Sequence, residues 1–271
     1  MSILEAGGFE ISLFLCSGDM FPNSMNKASA YQALHDELRA SRGVRLYSDL
    51  LSRQITFYTF QRNHADLERL ISLHYQLEMK GKLGDFNNQK PLHDLLFEAT
   101  RRLQNFVFAA KTLVEHTRNY MKLWHHDEPD IMVAYQAKVT QHFVESGIGP
   151  FTKCLRDYFA HCSTPFISSL DEHHAHVRFT LQLETETMAK TPHFHGWLEP
   201  APRYIAFHRD TYARKDGGVN LGFYVNDYYE AVIRFYSWLD DQNQEWCRGA
   251  WDETAAIQNR IEEFWAERRK K

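Results

Sequence analysis

The chain has 271 residues, of which 44% are hydrophobic and 24% are charged, a composition typical of globular proteins. This length is enough for one large domain or two smaller ones with a sizeable core. The formal net charge of −4 excludes a basic field over the whole surface. Any contact with RNA or DNA therefore has to come from a local patch.

The cysteines and the apolar runs bear on the compartment. Cys16, Cys154, Cys162 and Cys247 are scattered and include no C-x-x-C pair, which favours a reducing cytoplasm over a disulfide framework. No apolar run reaches the roughly 18 residues of a membrane-spanning helix. We therefore expect a cytoplasmic protein with no membrane partner, and we interpret residues 1–28 as a loose N-terminal extension.

Apolar residues at helical spacing predict a series of helices in the first 163 residues. In chain order, the predicted helices cover residues 29–40, 49–79, 92–124, 129–145 and 150–163. Ser48 or Asp49 is expected to cap the second helix. Glycines, asparagines and prolines predict loops in 80–91 and 146–150. The most regular apolar stripe lies on the third helix: Leu92, Leu96, Ala99, Leu103, Phe106, Ala110, Leu113, Thr117, Tyr120 and Trp124.

The period of the sequence changes after these helices. Apolar and polar residues alternate in 176–186, which predicts a strand with one solvated face. We expect 203–209 to pair with it and 214–220 to form a turn. The helical period returns in 221–268, as one long helix or two.

These elements predict a mainly α fold in which long helices surround one core. A small β hairpin follows the helices, and a C-terminal helical segment packs back on the bundle. The predicted boundaries are an extension at 1–28, a helical bundle at 29–170, a β insert at 171–220 and a C-terminal segment at 221–271.

The sequence RDYFAH brings an arginine, an acid and a histidine together near the end of the fifth predicted helix. The apolar stripe of this helix consists of Phe151, Cys154, Leu155, Tyr158, Phe159 and Cys162. Arg156, Asp157 and His161 therefore point away from the core. Asp157 and His161 are four residues apart, so their side chains are neighbours on the helix.

Each residue of this triplet suits a chemical role. His161 lies near the helix C-terminus, where the dipole favours a protonated ring, and such a histidine suits general acid–base catalysis. Arg156 suits bidentate binding of a phosphate. The same pattern is also typical of a solvated helix face held by salt bridges. In that case, the function lies in the C-terminal segment.

The spacing of Arg156, Asp157 and His161, on the last helix of a predicted four-helix bundle, resembles the R-x(4–6)-H signature of the HEPN superfamily. The resemblance covers about residues 43–170, and the C-terminal hundred residues lie outside a minimal HEPN domain. Many members are metal-independent ribonucleases of toxin–antitoxin and phage-defence systems. The resemblance implies an up-and-down four-helix bundle.

The same resemblance implies an endoribonuclease mechanism. Arg156 would bind the scissile phosphate, His161 would assist attack by the ribose 2′-OH, and Asp157 would orient the histidine or the arginine. The product would be a 2′,3′-cyclic phosphate. Glu115, Arg118 and Asn119, near the end of the third predicted helix, would line the same cleft and bind the substrate, although this second match is looser.

The implied partners follow from this chemistry. They are RNA, a second copy of the chain that brings two triplets to one groove, and an antitoxin or defence-system protein. No metal and no cofactor are expected, because the RNA supplies its own nucleophile. Some HEPN-like proteins have lost catalysis, so the alternative is a non-catalytic helical interaction or sensor module.

Two other patterns give alternative sites. His174, His176, His193 and His195 would approach one another if the β segment forms a hairpin, which is compatible with zinc. They lack standard Cys/His spacing, so we predict no metal site. The tyrosines of 224–239 could stack on bases, but an aromatic stripe at helical spacing is more typical of a core or a dimer interface.

Overall fold

The computed structural model describes residues 25–82, 89–165, 167–170, 180–183, 204 and 219–269. Within these residues the chain is almost entirely helical, with seven α-helices and three short strands. The predicted mainly α bundle is therefore confirmed. No helix in this part of the chain combines the length and the apolar character that a membrane span requires.

The helices match the predicted ones closely in number and place. They are α1 (Met25–Ala40), α2 (Arg42–Met79), α3 (Lys90–His125), α4 (Pro129–Val139), α5 (Ile148–His161), α6 (Leu221–Trp246) and α7 (Arg248–Arg269). A π-helix, Thr140–Val144, continues directly from α4. The C-terminal helical segment is thus two helices, and α1 begins four residues before the predicted position.

The predicted start of α2 was wrong. The helix begins at Arg42 and not at residue 49, because Ser41 caps it in place of Ser48 or Asp49. The hydroxyl of Ser41 accepts a hydrogen bond from the backbone N–H of Val44 at 3.4 Å. This is the bond by which an N-cap serine satisfies a free donor of the first turn.

The three strands form one antiparallel sheet in the order β1 (Ile167–Leu170), β2 (Thr180–Leu183) and β3 (Val219–Asn220). Strand β2 lies inside the predicted strand 176–186, so that prediction is confirmed for its central residues. The predicted partner, 203–209, lies outside the described residues except for Tyr204. The last two residues of the predicted turn 214–220 form β3, because Val219 and Asn220 pair with Leu183 and Gln182.

The chain divides into two compact units, residues 1–51 with 237–271, and residues 52–236. In the first unit, α1 packs on α7. The ring of Tyr31 lies 5.1 Å from Trp265 and 5.9 Å from Phe264, and Arg260 pairs with Glu37 at 2.6 Å. The boundaries predicted from sequence at residues 28, 170 and 220 stay predictions.

The second unit has an aromatic core built around α3. Phe106 of α3 lies 5.2 Å from Phe60 of α2 and 6.0 Å from Tyr228 of α6. Phe151 of α5 meets Tyr224 of α6 at 5.1 Å. All five rings are buried, and aromatic burial on this scale contributes strongly to stability. The core therefore holds α5, which carries the RDYFAH sequence, against α3 and α6.

Candidate functional site

The inner face of α5 fixes the direction of the RDYFAH side chains. Phe151, Cys154, Leu155 and Tyr158 are buried, as the apolar stripe predicts. The last member of that stripe, Cys162, is exposed. The helix ends at His161, so helical spacing no longer determines the direction of the Cys162 side chain. Arg156 and Asp157 consequently lie at the edge of the core, with side chains only 21% and 22% exposed.

Asp157 holds two cations of its own helix. Its Oδ1 atom lies 2.7 Å from Nη2 of Arg156, and its Oδ2 atom lies 2.9 Å from Nζ of Lys153. Lys153 precedes Asp157 by four residues, a spacing at which opposite charges on a helix attract. One carboxylate therefore positions both a guanidinium and an ammonium group.

His161 stands apart from this pair of salt bridges. It is the last residue of α5, and its side chain is exposed. No hydrogen bond joins His161 to Asp157, both of which belong to the described residues. The triplet is therefore divided into an Arg156–Asp157 pair at the edge of the core and a histidine that faces solvent about one helical turn further on.

A second group of charges lies on α3, at the residues that the HEPN resemblance implies. Glu115 accepts hydrogen bonds from Lys111 and, at 3.3 Å, from Arg118. The hydrogen bond from Lys111, aided by the charges of both cations, lowers the pKa of the Glu115 carboxyl. Asn119 lies on the exposed face of α3. Glu115 and Asp157 thus have the same role on neighbouring helices, since each holds two cations.

The two charged groups meet at one cavity, with a volume of about 510 Å³. The basic side chains of its lining are Lys111, Arg118, Lys153 and Arg156. Glu115, Asn119, Asp157 and His161 are not part of this lining. The structure therefore places Arg118 and Arg156, two of the six predicted site residues, in the wall of one cavity and leaves the other four outside it.

Most of the remaining cavity wall is apolar. It includes Val107 of α3, Val139 of α4, and Val232 and Phe235 of α6. The π-helix contributes Phe143. A π-turn widens the helix locally and is often found at functional sites, and here it forms one side of the cavity.

Buried tyrosines add neutral polar groups to the wall. Tyr228 and Tyr236 line the cavity, and burial raises the pKa of both hydroxyls above the usual value. The Tyr236 hydroxyl bonds to Thr117 and to the carbonyl oxygen of Leu113. These groups stay protonated at neutral pH and add no negative charge to the site.

Sequence reasoning missed Lys111 and Lys153 as members of this site. Both stand four residues before an acid, Glu115 and Asp157 respectively. This Lys-to-acid spacing marks helix salt bridges, and it could have identified both lysines as neighbours of the predicted residues. The cavity itself leaves no such signal, because its wall combines residues of α3, α4, α5 and α6.

Two adjacent histidines where α3 ends have separate acidic partners. His125 is buried and its Nδ1 atom lies 3.1 Å from Glu128 Oε2, whereas His126 pairs with Asp127 at 2.9 Å. Histidines 174, 176, 193 and 195 lie outside the described residues. Within the described part of the chain, no group of three or more His, Cys, Asp or Glu side chains is arranged to hold a metal ion.

The cysteines of the described residues differ in burial. Cys154 and Cys247 are buried and Cys162 is exposed, while Cys16 lies outside the described residues. Burial raises the pKa of the Cys154 thiol, which makes it an unreactive member of the core.

Comparison with known proteins identified no relative of this chain. No protein-family model matches the sequence, and neither the curated proteins nor the solved structures include a significant match.

Proposed function

We propose that the chain is a metal-independent endoribonuclease that uses Arg156, Asp157 and His161. The observation that carries this proposal is the Arg156–Asp157 ion pair at 2.7 Å on the same helix as the exposed His161. An arginine oriented by a carboxylate is a strong phosphate ligand. A solvent-facing histidine on the next turn is accessible to a ribose hydroxyl.

The cations around this pair support binding of an RNA backbone. Lys111, Arg118, Lys153 and Arg156 line one cavity, and the two carboxylates beside them are Glu115 and Asp157. Four positive and two negative charges leave an excess of two positive charges in a chain whose net charge is −4. This is the local patch that RNA binding needs, and the affinity for RNA should fall as salt rises.

The proposed reaction is an internal transfer of the phosphoryl group. The neutral imidazole of His161 accepts the proton of the 2′-OH, and the 2′ oxygen forms a bond to phosphorus. The bond from phosphorus to the 5′ oxygen breaks, and that oxygen takes a proton from water. Arg156 stabilises the charge that develops on the phosphoryl oxygens, and Asp157 holds the guanidinium in place.

This chemistry needs no metal ion, because the ribose supplies the nucleophile and the arginine supplies the positive charge. The proposal includes a cytoplasmic location and a homodimer in which two copies of the triplet face one groove. It also includes a role in phage defence or toxin–antitoxin control, with an antitoxin or a defence-system protein as partner.

The products provide the test of the proposal. Purified protein is incubated with a 5′-labelled RNA of mixed sequence in EDTA, and the ends of the fragments are analysed. Fragments that end in a 2′,3′-cyclic phosphate support the proposal. Fragments that end in a 3′-hydroxyl would contradict it, because 2′-OH attack cannot produce them.

The second candidate is a non-catalytic helical sensor or interaction module. The position of Arg156 favours it, because this residue lines a mainly apolar cavity while His161 lies outside that cavity. A sensor would use the cavity for recognition and would leave RNA intact in the experiment above.

A further inference from the structure

The cavity between α3, α4, α5 and α6 has a buried apolar part that RNA binding at its cations does not use. Val107 and Val232 are almost completely buried, at 0% and 2% exposed. A volume of about 510 Å³ lies in the range of small-molecule sites, which are mainly apolar with a few well-placed polar groups. A polynucleotide backbone has no apolar portion that would fill such a space.

The charges of the cavity stand at its solvent side. The side chains of Lys111, Lys153 and Arg118 are 33%, 69% and 53% exposed. In contrast, Val107, Val232 and Phe235 of the lining are buried. Of the described residues that form the lining, four are basic and none is acidic. The cavity thus changes from an apolar interior to a cationic mouth.

Arg156 links these two regions. Its Nη2 atom pairs with Asp157, but its Nε atom is buried and makes no hydrogen bond to a residue that the structure describes. Buried donors are nearly always satisfied, and a buried guanidinium N–H that is left without an acceptor is costly. An anionic group at the mouth of the cavity would supply that acceptor.

We propose that this cavity binds a small organic anion, with an apolar body against α3, α4 and α6 and a carboxylate or phosphate head at Arg156 and Arg118. The charge of the mouth and the apolar interior together specify an amphiphilic ligand. This proposal does not depend on the proposed ribonuclease activity. Because Arg156 is part of both the cavity and the proposed ribonuclease site, a ligand in the cavity would compete with RNA for this arginine.

The first test compares ligands built on a ten-carbon chain, in which the carboxyl carbon of decanoate is counted. Decanoate, decyl phosphate, decanol and decyltrimethylammonium are titrated into the full chain by calorimetry, below their micellar concentrations. Decanoate or decyl phosphate is expected to bind at least tenfold more tightly than decanol, and decyltrimethylammonium is expected to bind more weakly still. The tighter of the two anions identifies the head group. Equal affinity for decanol and both anions would overturn the proposal.

The second test uses variants of the cavity. Arg118→Gln and Arg156→Gln are each expected to weaken anion binding about tenfold, the range of a lost charge-assisted hydrogen bond. Arg69→Gln is the matched control, because Arg69 pairs with Asp66 three residues earlier, as Arg118 pairs with Glu115. Arg69 does not line this cavity, so its variant should bind as the original chain does.

A third variant tests the apolar interior directly. Val232→Trp would fill the cavity and is expected to abolish binding of decanoate, with the helical circular dichroism of the original chain retained. If that variant folds and still binds decanoate with unchanged affinity, the proposal is wrong. If it does not fold, the comparison of Arg118→Gln with Arg69→Gln decides, and equal affinities of these two would overturn the proposal.

Discussion

Asp157 pairs with Arg156, with 2.7 Å between its Oδ1 atom and the arginine Nη2 atom. Its other oxygen is bonded to Lys153, so both oxygens of this carboxylate are engaged by cations. The aspartate of RDYFAH therefore contacts an arginine and a lysine of its own helix. His161 remains exposed and separate from it.

The carboxylate of Asp157 should act in opposite directions on the two proposed activities. Asp157→Asn frees Lys153 and Arg156 from a competing negative charge, so we expect decanoate or decyl phosphate to bind about threefold more tightly, the scale of one exposed ion pair. We expect RNA cleavage to fall about tenfold, because Arg156 loses the group that positions it. Calorimetry and RNA cleavage measure the two effects.

The control for this variant is Asp94→Asn. Asp94 pairs with Lys90 at 2.5 Å across the same four-residue spacing, but it is not part of the cavity lining. It should change neither activity. If Asp157→Asn raises both anion binding and RNA cleavage, or lowers both, Asp157 does not act on them in opposite directions and the prediction is wrong.

A close approach of two helices in the first unit predicts a stability effect. A Cβ atom at Gly43 of α2 would lie 2.7 Å from the carbonyl oxygen of Ala250 and would clash with Thr254 of α7. Gly43→Ala should therefore lower the free energy of unfolding by about 1–3 kcal/mol, as overpacking does. Urea unfolding monitored by circular dichroism measures the change.

Gly249 provides the matched substitution on α7. A Cβ atom there meets no atom within 4 Å, and alanine is favoured over glycine in a helix by about 0.5–1 kcal/mol. Gly249→Ala should leave the free energy of unfolding unchanged or raise it slightly. If Gly43→Ala and Gly249→Ala lower the free energy of unfolding equally, the close contact between Gly43 and α7 is not the cause of the loss.

The histidine at position 74 should make stability depend on pH. Its side chain is 1% exposed, and burial lowers its pKa from 6.5 to about 4. The folded chain therefore keeps His74 neutral while the unfolded chain binds a proton below about pH 6.5. The contribution of His74 to the free energy of unfolding is therefore fully present above pH 6.5. It is lost as the pH falls toward 4, by roughly 3 kcal/mol at most.

Unfolding measured at pH 7 and at pH 4.5 tests this expectation. His74→Gln should reduce the loss of stability between these two pH values relative to the original chain. His126→Gln is the control, because His126 is exposed beside Asp127 and should change the loss little. Equal losses in the original chain and in His74→Gln would show that another group dominates the acid sensitivity.

The sequence predicted the helices well because long apolar stripes determine them. The members of the predicted stripe from Ala99 to Tyr120 are all buried, and Val107 is buried beside them. Near the helix ends Leu95, Met121 and His125 are buried in place of the predicted Leu92, Leu96 and Trp124. Near helix termini, packing against neighbours decides which side chain turns inward. Helical periodicity alone contains no information about those neighbours.

Helix α2 shows what hydrophobic periodicity leaves out. Its buried face includes His64 and Thr56, which a stripe of apolar residues does not count. The Nε2 atom of His64 lies 3.1 Å from Asn226 Oδ1, and Thr56 Oγ1 lies 2.8 Å from His116 Nδ1. These partners are 162 and 60 residues away, so no local pattern could have identified them.

Residue spacing alone predicts only the local part of the candidate site. Helical spacing predicts the exposed position of His161 and the Lys153–Asp157 ion pair. It does not predict that Arg156 lines the cavity with a buried Nε atom. The meeting of Arg118 and Arg156 at one apolar cavity depends on the packing of α3 against α5 and on the wider π-helix at Thr140–Val144. A single sequence does not specify that packing.

The most direct measurement is cleavage of mixed RNA in EDTA by the original chain, Arg156→Ala and His161→Ala. Arg69→Ala and His126→Ala are the controls, since each replaces an exposed residue of the same type that is paired with an acid. We predict cleavage by the original chain and by both controls, and a loss of at least 100-fold in the two site variants. Intact RNA with the original chain, or cleavage that His161→Ala retains in full, would contradict the proposed ribonuclease.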